Sequence, residues 1–415
     1  MKQGYLSQYF EGVAAKRLTA VETNPLVSNQ HEYNGVQGLK GLLGTNNSGD
    51  AIRFPTRYIW LAEENETIIA DGSLSWYDSR FAQANRSPEW RLVYQGNDVI
   101  SQAKEGDLLF IAKRKDGTIL NIIVSAGSTV ESQLLWLFNV PVQTGRSFVI
   151  HGFEGDDKEV DFAARIILEE LGIDIEEPEA DKLDELLERF NGVLPKTNEF
   201  SLYARKTIDA DPLGDPDQAL MLWMEQEEKL FRRLERQIVD KRLQSGFMGE
   251  EGSDVDGFIA FSLSVQNRRK VRAGLALENH LQEMFNVHGL AYSRVAVTEN
   301  KSKPDFLFPS AAGYHSEHFP VPLLTMLGVK TSCKDRWRQV LSEAARIPEK
   351  HLLTLEPSIS ENQTNEMRAS NLQLILPQSI HETYNPKQRD WLMNFTQFIE
   401  MAKGKQAGAK GYYHY

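Results

Sequence analysis

The chain has 415 residues, 41% hydrophobic and 25% charged, which are ordinary globular values and suit two to three domains that each bury a core. A formal net charge of −12 excludes sequence-blind coating of nucleic acid, which needs a broadly basic surface, so any such contact has to come from local patches. The single cysteine, Cys333, excludes an intrachain disulfide framework, and no run approaches the roughly 18 apolar residues of a membrane span, so a soluble, cytoplasmic chain with no membrane partner is expected.

A short helix is expected near Val36 to Leu43, and from Tyr58 to about Phe138 the chain reads as strands between turn signals. Leu108 to Ala112 and Ile119 to Val124 flank Asp116-Gly117, a pair that favours a hairpin. Residues 1–172 are therefore read as a mainly β domain. The acidic run Ile173 to Asp181 is interrupted by Pro178 and suits an exposed connector or a helix start; with Asn191-Gly192 it is taken as an acidic linker over residues 173–196. Beyond it, Leu220, Trp223, Met224, Leu230, Leu234 and Ile238 recur at helical spacing, which predicts an amphipathic helix from Gln218 to Arg242. A second helix is predicted from Leu275 to Val287, strands at Asp305 to Phe308 and Leu323 to Thr331, a helix from Asp335 to Ala345, and a strand at Leu372 to Leu376. Residues 197–403 are thus an α/β domain, and the small, basic segment 404–415 is expected to be a flexible tail.

Pro304-Asp305-Phe306-Leu307 sets an acid beside an apolar strand, and Leu327-Gly328-Val329-Lys330 ends a second strand on a lysine. In phosphodiester hydrolysis with a divalent metal, carboxylates hold the cation while a lysine offsets charge on the phosphate or orients water. The usual pattern has an acid two residues before the lysine, where this chain has Gly328. Glu343, on the helix expected after the strand, is a replacement, and Glu278 is a further candidate for the metal shell. On spacing alone the same residues serve equally well as a turn cap, a surface lysine and a helical glutamate.

The ordered runs Ser264-Val265-Gln266-Asn267-Arg268-Arg269-Lys270-Val271-Arg272-Ala273-Gly274, Leu277-Glu278, Lys303 to Ser310, Tyr314-His315 and Val329 to Gln339 resemble the catalytic domain of EcoRII-type restriction endonucleases, over most of residues 201–377. The resemblance implies a restriction-endonuclease-like PD-(D/E)XK core with the second acid displaced onto the helix. It implies Asp305, Lys330 and Glu343 as the catalytic set, with Asp305, Glu343 and Glu278 around Mg²⁺. Double-stranded DNA is the implied partner, cut to leave 5′-phosphates at a CCWGG-like site by a homodimer. Lys334, Asp335, Arg336 and Arg338 suit base or phosphate contact at a helix start, and Arg268, Arg269, Lys270 and Arg272 suit phosphates, with Tyr314 and His315 as further DNA contacts. A basic helix face left in solvent has the same composition. Cys333 has no partnering base in sequence and reads as packing, and His315 with His318 is weak evidence for zinc.

In the N-terminal region, Arg17, Asn29, Gln30, His31, Arg80, Arg86 and Arg91 put basic and amide side chains in loop-like stretches beside strands, where they suit bases and phosphates. These stretches resemble the effector-binding domain of the same family, a DNA-binding pseudobarrel. That implies a site for a further copy of the recognition DNA and a domain that covers the catalytic cleft without it. A DNA-binding sensor with an inactive or ligand-activated nuclease core is the alternative.

Overall fold

The computed structural model of the chain describes residues 5–23, 31–46, 48–61, 67–83, 85–141, 147–153, 160–173, 175, 183–249, 252–333 and 336–412. Contacts divide the chain into two units, one of residues 1–176 with 357–363, the other of 177–356 with 364–415.

The first unit is built on eight strands, β1 (Phe10–Arg17), β2 (Glu32–Tyr33), β3 (Ile52–Leu61), β4 (Ile68–Asp78), β5 (Trp90–Tyr94), β6 (Leu108–Arg114), β7 (Ile119–Val124) and β8 (Val149–Gly152). They form one sheet in the order β2-β5-β4-β3-β7-β6-β1-β8, antiparallel except where β3 runs parallel to β7. Alternation sends successive side chains to two cores: Ile59, Phe110 and Ile122 pack in one, and Tyr58, Leu109 and Ile123 in the other. The Asp116-Gly117 hairpin forms as expected, with Gly117 at φ 82°, where a side chain would be strained. The strand-rich reading up to Phe138 ends instead in a helix, Thr129–Leu137, whose start is capped by the Ser128 hydroxyl accepting from Glu131 N.

In the second unit, helices Leu183–Phe190, Thr197–Lys206 and Pro216–Ser245 share a core that includes Leu186, Phe200, Tyr203, Leu230 and Leu234, and the helix Val255–Val287 packs against the latter two helices. The stretch expected to be a connector up to residue 196 is therefore helical from Leu183, because Leu186 finds an apolar surface to bury against. Pro216 at the first turn and Gly246 after the last bound the third helix, as sequence rules require. The helix expected from Leu275 starts twenty residues earlier, at Val255, after an Asp254 cap. Its first turns carry exposed Val255, Phe258, Ile259 and Leu263, and so show no buried apolar stripe to read.

After the small hairpin β9 (Met248–Gly249) and β10 (Gly252–Ser253), a five-stranded sheet follows: β11 (Ser293–Arg294), β12 (Phe306–Phe308), β13 (Thr325–Lys330), β14 (Lys350–Thr354) and β15 (Leu372–Ile375). Its order is sequential, antiparallel from β11 to β13 and parallel from β13 to β15. One face carries an aromatic cluster in which the Phe285 ring lies 5.1 Å from Phe306 and from Phe308, with Phe395 and Phe398 beyond. The helix Phe395–Gly408 runs into the segment expected to be a flexible tail, since Ala402 is buried and the alanines and lysines around it are good helix formers.

Candidate active site

Asp305 immediately precedes β12 and lies one step beyond the last ladder pair, Phe306 with Leu327, which sets it beside Gly328 and Val329 of β13. Its Oδ2 accepts from Val329 N at 2.6 Å and from Lys330 Nζ at 3.2 Å. Strand alternation puts positions 328 and 330 on one face of the sheet. Position 328 is where the usual second acid would stand, and the reason it is glycine is steric: a Cβ there would lie 2.9 Å from Cγ2 of Val340. Gly328→Ala is therefore expected to destabilise the fold by about 1–3 kcal/mol through overpacking. An unchanged midpoint in chemical denaturation would refute that account.

Val340 belongs to a helix shorter than expected, Trp337–Leu341 rather than Asp335 to Ala345. Ala344 takes a positive φ of 47°, which no helix continues through, so Glu343 sits on a bend after the helix rather than on it. The bend turns Glu343 back toward β13. Burial and then the charge of Asp305 push its carboxyl up to about 7, against the opposite pull of Lys330 and Lys350. Glu278, on the helix Val255–Val287, is raised by burial and by Asp305 as well, while Arg294 Nη2 holds its Oε2 at 2.5 Å. Glu278 and Glu343, from separate segments, are thus each close enough to Asp305 and Lys330 to feel their charges.

A divalent cation fits this place. Oε2 of Glu343 is buried and has no hydrogen-bond partner, a costly arrangement that a cation ligand would relieve. Among the described residues no three His, Cys, Asp or Glu side chains form a ready-made metal cage. Mg²⁺ requires none, because it commonly takes one or two carboxylates and completes its shell with water and phosphate oxygens. Glu278 is already engaged by Arg294 at 2.5 Å.

The other expected contacts divide. Lys334 and Asp335 lie outside the described residues, as does the side chain of Lys270. Arg336 is exposed and Arg338 pairs with Glu366 at 2.8 Å, both side chains about half in solvent. Arg268 is half-buried, and Arg269 donates to Glu235 at 2.6 Å. Arg272 is corrected from phosphate contact to packing: its guanidinium lies 5.0 Å from the Phe200 ring and 5.3 Å from Phe231, and Nη1 donates to Pro195 O. Its position on the helix faces the bundle. Tyr314 is corrected likewise, being 2% exposed with its hydroxyl on the Glu299 carboxylate. His315 is exposed, with Nε2 3.1 Å from Val297 O. Cys333 is buried, its thiol pushed up by burial and by Glu356.

In the first unit, Arg17 is on β1 rather than in a loop and makes a two-pronged pair with Glu131 at 2.5 Å, which removes it from the expected reading surface. Arg80 pairs with Glu89 at 2.6 Å and Arg91, on β5, with Glu32 at 3.4 Å. Arg86 and His31 are exposed, whereas Asn29 and Gln30 lie outside the described residues.

A mixed sheet with an acid just before one strand and a lysine ending the next matches the expected restriction-endonuclease-like core, here with glycine at the usual acid position and Val340 filling the space beside it. Residues 231–399 match the family model described as EcoRII C terminal. Over 214 residues the chain is 44% identical to the type II restriction enzyme EcoRII of Escherichia coli, covering 51% of this chain and 52% of that protein. The chain therefore matches about half the length of that relative. Two solved structures are similar: metal-depleted Ecl18kI in complex with uncleaved, modified DNA, at TM-score 0.45 and 18% identity over 55% of this chain and 84% of that one, and the complex of restriction endonuclease PspGI with substrate DNA, at 0.43 and 16% over 52% and 94%. The similarity to the EcoRII-type restriction enzymes thus spans about half of the chain. No helix among the described residues is long and apolar enough to cross a membrane.

The residues that sequence reasoning missed are those behind the site: Val340, which closes position 328, Arg294, which restrains Glu278, and Lys350 and Glu299, which hold the Glu343 bend. No local motif marks them, because each acts across the fold.

Proposed function

We propose that the chain is a Mg²⁺-dependent type II restriction endonuclease that hydrolyses both strands of a short, CCWGG-like DNA site. What supports the reading is the Lys330–Asp305 contact at 3.2 Å with Glu343 near enough to feel both charges and its Oε2 buried without a hydrogen-bond partner, within the segment that matches the EcoRII C-terminal family.

Asp305 and Glu343 would hold the cation, with Glu278 in support. When bound, the cation supplies charge stabilisation at the phosphate and a more acidic attacking water. Lys330 keeps its ammonium at the same spot, 3.2 Å from Asp305, where it offsets charge building on the scissile phosphate or orients the water. Asp305 is held by Val329 N as well, so it enters the reaction already oriented. Exposed Arg336 and half-exposed Arg338 follow the strand that ends in Lys330, a location suited to base or phosphate contact, with Lys334 and Asp335 between Lys330 and Arg336 in sequence.

Each chain supplies one such site, and cutting both strands calls for two, so the active species is a homodimer. The N-terminal β unit binds a further copy of the site and controls access to the cleft. Incubating the purified chain with Mg²⁺ and DNA bearing CCWGG sites, then sequencing the fragment ends, tests the assignment. Discrete ends with 5′-phosphates at one short sequence support it, and specific binding with no cutting under any condition would establish the DNA-binding sensor instead. Regulation has its own expected result: a short duplex carrying the site, added in trans, raises cleavage of a plasmid with a single site by tenfold or more, about 1.4 kcal/mol of coupling. Identical rates with and without the duplex would remove the regulatory role.

A further inference from the structure

Lys350 opens β14 and is 5% exposed, too deep to meet a substrate. All three of its ammonium protons are committed to one short stretch of backbone: Nζ donates to Glu343 O at 2.6 Å, Ala344 O at 2.7 Å and Ile347 O at 2.6 Å. These carbonyls follow the helix Trp337–Leu341, and Lys350 satisfies them from below.

The stretch needs holding. Ala344 sits at φ 47°, a conformation that is strained for a Cβ-bearing residue and persists only when its surroundings impose it. From the other side, the Tyr314 hydroxyl accepts from Arg346 N at 3.2 Å and donates to the Glu299 carboxylate, which also accepts from Ala345 N at 3.2 Å. The Arg346 guanidinium closes the ring by donating to Tyr314 O and, at 2.6 Å, to Phe319 O. Glu343 thus projects from a bend whose backbone is held by Lys350 and by the Tyr314–Glu299 pair, while its buried carboxylate oxygen Oε2 has no hydrogen-bond partner.

We propose that Lys350, backed by Tyr314, is a positioning residue that sets the cation affinity of the Asp305–Glu343 pair by fixing the backbone from which Glu343 projects. This rests on Glu343 being an acid that holds the cation. A clamp that serves stability alone would leave cation affinity unchanged in any variant that folds.

The test uses the full-length chain and two variants, Lys350→Met and Tyr314→Phe. Mn²⁺ binding is followed by the electron paramagnetic resonance of free Mn²⁺, alongside the Mg²⁺ concentration that gives half-maximal cleavage at saturating DNA. Lys350→Met is expected to weaken Mn²⁺ binding about tenfold or more, in the range seen when residues supporting a metal ligand are lost, and to raise the Mg²⁺ half-saturation by a similar factor. Tyr314→Phe moves both in the same direction, by about threefold. DNA binding in EDTA stays within about twofold of wild type. Folded Lys350→Met with wild-type Mn²⁺ affinity overturns the inference, and if that variant does not fold, wild-type Mn²⁺ affinity in Tyr314→Phe overturns it. Weakened Mn²⁺ binding supports it even if no DNA is ever cut, an outcome that would sink the nuclease reading alone.

Discussion

Lys330→Ala protein is expected to bind site-bearing DNA and fail to cut it. The lysine Nζ lies 3.2 Å from Asp305 Oδ2 and 3.0 Å from Val329 O, so its charge is fixed where negative charge would build on the phosphate. Removing one group aimed at developing charge typically costs about 10²–10³ in rate. Little of that loss should appear in DNA affinity, because most of the binding energy comes from phosphate contacts spread over the interface. Single-turnover cleavage at saturating enzyme, paired with a mobility-shift titration in EDTA, separates the two quantities. Cleavage at the wild-type rate would end the assignment of Lys330.

The second large effect is on metal binding as a function of pH. Burial and Asp305 push the Glu343 carboxyl up to about 7, so in the metal-free protein this side chain is largely protonated at pH 6 and largely ionised at pH 8. A cation needs the ionised form and must displace the proton below that pH. Metal affinity should therefore rise by about tenfold per pH unit up to roughly pH 7 and flatten above it. The stability sign follows from the same shift. A carboxyl raised in the folded state contributes stability that is complete below its unfolded value near 4.5 and is lost as pH rises through about 7. The metal-free fold therefore weakens over that window, and the cation restores it most strongly at the upper end. Thermal melts from pH 5.5 to 8.5, with and without Mg²⁺, would reveal this as a stabilisation that grows with pH. Glu343→Gln should abolish the growth. Metal stabilisation of equal size at pH 5.5 and pH 8.5 in the wild type would contradict the proposed role of Glu343.

Much of the fold was legible from periodicity. The Asp-Gly hairpin, the amphipathic helix bounded by Pro216 and Gly246, and the apolar strands ending at Phe308, Lys330 and Ile375 are local patterns that the backbone obeys wherever they occur. What misled was local pattern with no record of its surroundings. The stretch just after the acidic run looked like part of a connector, but Leu186 has Phe200 and Leu230 in its core cluster, and Leu183–Phe190 is a helix. Arg272 looked like its basic neighbours, yet it lies against two phenylalanine rings. Arg17 looked available and is held by Glu131, which is 114 residues away in sequence.

The sequence by itself determined the acid and lysine at the ends of two apolar strands, the absence of an acid at position 328, and hence the need for a second carboxylate from elsewhere. Only the tertiary structure decided how that need is met. Val340 fills the space an acid at 328 would require, and the chain leaves its helix at Ala344 so that Glu343 can turn back toward Asp305. The bend is held by a buried lysine seven residues beyond Glu343 and by a tyrosine 29 residues before it. The physical reason is that strand and helix patterns depend on neighbours along the chain, whereas a strained turn and a buried carboxylate depend on whichever groups the fold brings against them.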